Sequence, residues 1–193
     1  MAEGADDPTI HWIDPEMRGV LPLDGLHISR SLRKTLVRGD YSVAVNQRFD
    51  DVVSACADRE NTWINDKIAQ LYGNLHRSGY AHSVEITMDG ELAGGLYGVS
   101  LGGAFFGESM FSYRTDASKI ALVYLVARLR KGGFTVLDTQ FVTDHLISLG
   151  AVEIPRMEYH DQLASALDIV TNFWRLPVSE PRQSVLQLST QIS

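Results

Sequence analysis

The 193-residue chain is long enough for one domain with a substantial core, and its 45% hydrophobic and 21% charged residues exclude a disordered chain. A net charge of −7 weighs mildly against a nucleic-acid partner, because neutralising phosphates takes lysine and arginine. One cysteine excludes an internal disulfide, and six histidines scattered without ligand spacing lead us to expect no metal.

Residues 1–12 read as a loose leader, acidic over 1–9 and without the apolar core of a signal peptide; 9–12 form either a short strand or a place where Trp12 packs on the core. The longest apolar run, 120–127, is too short to span a bilayer, so no membrane association and a cytoplasmic location are expected. Ser29 is placed to cap a helix over 30–38, with Leu32, Leu36 and Val37 inward. Arg30, Arg33, Lys34 and Arg38 then occupy its outer face, which charge pattern alone reads as solvated. Tyr41, Val43 and Val45 alternate as in a strand; Phe49, Val52, Val53 and Cys56 recur at helical spacing, which buries Cys56. Thr62 is expected to cap the next helix, with a stripe of Ile64, Ile68, Leu71 and Leu75 and a stop at Gly79. Trp63, at its start, reads as core on pattern alone.

Two hairpins follow, turning at Asp89-Gly90 and at 101–103, and they make 83–109 an antiparallel meander. Gly94, Gly95, Gly98, Gly102, Gly103 and Gly107 crowd it, either to relieve turns and bends or to let a ligand approach the backbone. Neither GxxxxGK[ST] nor a helix-opening GxGxxG is present, so triphosphate and dinucleotide readings are weak. Asp116 or Thr115 is expected to cap a helix running to about residue 131, ended by Gly132-Gly133; it is apolar nearly all round and therefore central. In the strand-like run 134–142, Phe134, Val136, Asp138 and Gln140 share one face, and two polar groups break it. Asp138 is either a carboxylate capping a strand end or a group for chemistry. A short helix over 144–149 ends at Gly150, Pro155 opens a helix reaching 167, and the polar tail 177–193, with Val185, Leu186 and Leu188, suggests an edge strand.

The segments HISRSLRK, TWIND, AHSVE, GGLYGV, FFGESMFS, DASK, LDTQFVTDH and LGAVEIPR, in this order and at these separations, closely resemble the leucyl/phenylalanyl-tRNA-protein transferases, over nearly all of residues 12–167. The resemblance implies an α+β, acetyltransferase-like (GNAT-like) core with a mostly antiparallel sheet and packed helices, spanning 13–176. The small domain that the family normally carries ahead of this core is expected to be absent. The implied activity moves leucine or phenylalanine, or methionine, from aminoacyl-tRNA to proteins beginning with Lys or Arg, marking them for degradation through the N-degron pathway. A monomer without cofactor is expected.

By the same resemblance, Asp138 would hold and help deprotonate the incoming amine, as general base or electrostatic anchor, and Gln140 would orient the reacting groups. Glu108 would contact the aminoacyl-adenosine or the amine. Trp63 would stack on the terminal adenine, while Leu96, Phe105, Gly107, Met110, Leu122 and Leu137 would bind the aminoacyl group. Arg30, Arg33, Lys34 and Arg38 become tRNA contacts. Thr143 departs from the asparagine often found there in the family. The alternatives are an acyl-CoA-dependent N-acyltransferase and a non-catalytic module that binds tRNA or a protein N-terminus. A covalent mechanism is discounted, since Ser109 lies outside a GxSxG elbow.

Overall fold

The glycine-rich meander becomes the middle of a seven-stranded sheet in the computed structural model, which describes residues 13–59 and 62–190. In chain order the elements are β1 (Met17–Val20), α1 (Arg30–Arg38), β2 (Ser42–Val45), α2 (Phe49–Ala57), α3 (Asp66–Arg77), β3 (Ala81–Met88), β4 (Glu91–Leu101), β5 (Ala104–Ser112), α4 (Ala117–Gly132), β6 (Val136–Gln140), α5 (Asp144–Ser148), β7 (Val152–Pro155), α6 (Arg156–Leu167) and α7 (Arg182–Thr190), with a 3₁₀ turn at Phe173–Arg175. The strands lie in the order β2-β3-β4-β5-β6-β1-β7 and every pairing is antiparallel except β5 with β6. The fold is thus α+β with a mostly antiparallel sheet. Trp12 and the rest of the leader lie outside the described residues.

Side chains alternate across the sheet, so neighbours on one strand serve different cores. Leu96, Phe105 and Leu137 join α4 on one face; Tyr97 joins α2 and α3 on the other, and Phe106 packs there beneath α6. Helix α4 is buried along nearly its whole length, as its all-round apolarity requires, and ends where Gly133 takes a left-handed φ of 84°. Asp116 stands at its N-cap position without capping it; the carboxylate holds Lys119 Nζ instead, at 3.0 Å. Ser29 caps α1 as anticipated, its side chain accepting from the Leu32 N–H, and Cys56 is buried. Burial pushes the Cys56 thiol up to about 12, which leaves it unreactive.

Four further expectations need correction. Val37 is exposed. Asn65, not Thr62, caps α3, its Oδ1 accepting from Ile68 N at 2.8 Å, whereas Thr62 only closes a turn onto Ile64 N. Leu71 and Leu75 face outward, because α3 seats the Ile68–Tyr72 row inward, with the Tyr72 ring 5.2 Å from Tyr97. The tail is a helix rather than an edge strand: Val185, Leu186 and Ser189 bury one side of α7, and Arg182 donates to the Gly39 and Tyr41 carbonyls at 2.6 and 2.7 Å.

Candidate active site

β5 and β6 pair only over Ala104–Phe106 and Val136–Asp138; β5 then continues to Ser112 alongside β4 while β6 stops at Gln140. Parallel strands that part in this way open the sheet, and a cavity of about 330 Å³ fills the breach. Its α4 side is apolar, formed by Leu96, Met110, Leu122, Leu125, Leu137 and Leu146; its α2–α3 side carries Arg59, Trp63, Tyr97, Glu108 and Ser109.

A bulge puts Glu108 there. Tyr97 faces Ser109 and Gly98 faces Gly107, so Glu108 has no partner on β4 and is turned out of the alternation. It meets the Tyr72 hydroxyl of α3, and burial raises its carboxyl above the ordinary value; Tyr72 opposes that shift and the nearby Asp138 charge adds to it. A Cβ on Gly98, opposite the bulge, would run into the Phe106 carbonyl and the Phe105 ring, so no larger residue fits. A carboxyl raised in the native state makes stability fall as pH climbs from the ordinary glutamate value through the raised one. Glu108→Gln should flatten that fall, which denaturant midpoints at several pH values will check; an unchanged slope would assign it to another group.

The carboxylate of Asp138 does not border the cavity. It is buried beneath α6, where Arg18 of β1 grips it at both oxygens, Nε to Oδ1 at 3.0 Å and Nη2 to Oδ2 at 2.7 Å. The Tyr159 hydroxyl donates to Oδ2 at 2.6 Å and the Gln140 backbone N–H to Oδ1 at 2.7 Å. Asp138 overcomes the lowering that burial alone would give Arg18, whose guanidinium ends up raised; burial and then the hydrogen bond to Asp138 push the Tyr159 phenol up. With its lone pairs occupied, Asp138 has no direct access to an incoming amine. What it holds is Gln140, whose φ of 64° is left-handed and costly for a side chain of that size. Gln140 borders the cavity.

Of the residues singled out in the sequence, Trp63, Leu96, Gly107, Glu108, Met110, Leu122, Leu137 and Gln140 come together around this cavity. Phe105 does not: it is fully buried, with its ring near-parallel to Phe173 at 5.8 Å. Arg30, Arg33, Lys34 and Arg38 are exposed on the outer face of α1. Sequence reasoning missed Arg59 and Tyr97 on the wall and Arg18 and Tyr159 behind it. The Tyr97 hydroxyl inside an apolar run was a readable signal, whereas nothing local marks Arg18 or Tyr159. Among the described residues no His, Cys, Asp and Glu cluster has the form of a metal site, and no helix is long and apolar enough to cross a membrane.

Residues 20–164 match the family model for leucyl/phenylalanyl-tRNA protein transferase. Over its whole length the chain is similar to proteins named leucyl/phenylalanyl-tRNA–protein transferase: 57% identical to one from Cereibacter sphaeroides and 58% to one from a Ruegeria strain, covering 90% and 91% of those proteins. One from Maricaulis maris is 56% identical, with 91% covered.

Proposed function

This chain belongs to the leucyl/phenylalanyl-tRNA–protein transferase family, and on that premise we infer that it is an aminoacyltransferase, moving leucine or phenylalanine from aminoacyl-tRNA to the N-terminal amine of a protein. The observation that carries the reading is the breach between β5 and β6, a cavity with an apolar side facing a polar wall. The amino-acid side chain enters the chamber between Leu96, Met110, Leu122 and Leu137, which brings the ester beside Gly107 and Gln140. Trp63 on the polar wall offers a face for the terminal adenine. The acceptor amine attacks the ester carbonyl, the new amide bond forms, and the bond to the ribose oxygen breaks. The amine loses a proton and the departing oxygen gains one, so alignment supplies much of the acceleration. Gln140 orients the reacting groups, and Asp138 acts through Gln140 as a positioning residue.

Acceptance of methionine, acceptors that begin with Lys or Arg, a monomeric state, a role in N-degron degradation and action in the cytoplasm, where charged tRNA is found, belong to the same proposal. So does kinship with acetyltransferase-like folds, supported by the parallel, splayed β5–β6 pair joined through α4. The acyl-CoA alternative gains nothing, since the turn before α4, residues 113–116, carries no glycine to cradle a pyrophosphate. Incubation of labelled Phe-tRNA with a peptide beginning with arginine should yield a labelled peptide, and blocking the peptide's amine by acetylation should abolish the product. Consumption of acetyl-CoA in place of Phe-tRNA would overturn the reading.

Met110→Ala should shift preference among leucine, methionine and phenylalanine more than tRNA affinity, because an apolar chamber discriminates by volume. Phe105→Ala should instead cost about 3–5 kcal/mol of stability with preference unchanged; a changed preference at unchanged stability would return Phe105 to the chamber. The exposed basic residues of α1 are proposed tRNA contacts. Binding should weaken with salt at a log–log slope of about −2 to −4 if about two to four phosphates are neutralised. An Arg30→Ala/Arg33→Ala/Lys34→Ala variant should flatten that slope, and equal slopes would remove α1 from the tRNA surface.

A further inference from the structure

Among the described residues three buried side-chain polar atoms lack a hydrogen-bond partner, and two of them, the Tyr97 hydroxyl and Thr139 Oγ1, belong to residues that border this one cavity. A buried hydroxyl left unpaired is costly, so the Tyr97 hydroxyl, on a residue that borders the cavity, is the candidate for a partner that a ligand supplies. Tyr97 is 0% exposed, and its ring is fixed edge-on by Phe49 and Tyr72 at 5.9 and 5.2 Å. The hydroxyl therefore has little freedom to seek another partner. Burial and the neighbouring Glu108 both push the Tyr97 phenol up, so it stays a neutral hydroxyl.

We propose that the Tyr97 hydroxyl, with the Glu108 carboxylate beside it, receives the free α-amino group of the donor aminoacyl ester, so that the site selects donors whose amine is unblocked and cationic. The inference rests on the function proposed above and adds to it the group that is read. Once the donor's side chain sits in the chamber on the α4 side, its amine and ester, both attached to the same Cα, must lie between that side and the α2–α3 wall. The α2–α3 wall offers the Glu108 carboxyl, held from behind by Tyr72, and the phenol oxygen of Tyr97. An ammonium group has only donors to give, and these groups accept. A developing oxyanion would meet the Glu108 carboxylate, so the ester oxygen belongs on the Gln140 side. Tyr97 is thus a specificity residue for the donor.

The test compares Phe-tRNA with phenyllactyl-tRNA, in which a hydroxyl replaces the amine, as donors to a peptide beginning with arginine. Tyr97→Phe should lower kcat/KM for Phe-tRNA roughly tenfold, the effect of a hydrogen bond to a charged group, while the phenyllactyl donor loses much less. Because the deleted hydroxyl is unpaired in the free protein, Tm should be equal or higher. Equal losses on both donors would overturn the inference and give the hydroxyl to the ester oxygen; unchanged rates, or a lower Tm that accounts for the lost activity, would overturn it also. If wild type transfers nothing from Phe-tRNA, the proposed function itself fails, an outcome distinct from these.

Discussion

Asp138→Asn is expected to cost about 3–5 kcal/mol of stability and to lower transfer by roughly 10²-fold. The substitution leaves the Arg18 guanidinium, only 14% exposed, without its counter-charge, and stranding one partner of a largely buried pair is where the energetic penalty concentrates. Replacing the carboxylate thus disturbs the fold as well as the chemistry. Tyr159→Phe separates the two effects. It keeps the Arg18–Asp138 pair and removes one hydrogen bond, so it should cost only about 1 kcal/mol. If Asp138 works by positioning Gln140, kcat should fall while KM for Phe-tRNA holds. Urea titration and steady-state kinetics read both quantities, and full turnover by folded Asp138→Asn protein would take Asp138 out of the mechanism.

Gln140→Ala should also lose roughly 10²-fold in transfer, but with the fold almost untouched. Gln140→Gly completes the experiment. The backbone at this position is left-handed, so glycine should stabilise the protein by about 1 kcal/mol relative to alanine. Both variants lack the amide and should be equally slow. A glycine variant that recovers activity would show that backbone shape, rather than the side-chain amide, is what the reaction uses.

The parts of this site that could be read from sequence are those built from neighbours along the chain. The turns at Asp89-Gly90 and 101–103 announce the meander, and the unbroken apolarity of α4 announces burial on all sides. Asp138 and Gln140 stand out as polar groups in an apolar strand. Strict alternation from Asp138 to Gln140 did not survive, because the left-handed Gln140 turns the backbone off the strand. Strands β1 and β7 are four residues each and owe their existence to each other and to β6, so MRGV and VEIP carry no pattern of their own. The stripe of α3 has two solutions in the sequence, because Leu71 and Leu75 match an apolar row as well as Ile68 and Tyr72 do, and only the aromatic packing on Tyr97 decides which row turns inward. Likewise Val185, Leu186 and Leu188 fit a strand or a helix, and the acceptors that hold Arg182 lie more than a hundred residues earlier.

The seat of β1 between β6 and β7 also bears on how the protein is made. Arg18 and Asp138 are 120 residues apart, and synthesis at about 5–20 residues per second puts roughly 6–24 s between their appearances. Throughout that interval the first strand leaves the ribosome with no sheet to join. The hairpins β3–β4–β5 can close locally meanwhile, but β1 can dock only once β6 has emerged, its other edge then waits for β7, and the brace behind Gln140 is complete only after Tyr159 has been added. A nascent chain shorter than that has the chamber's walls without the clamp that aligns its chemistry, so transfer activity on the ribosome should appear abruptly with the emergence of α6 rather than build up as the meander folds.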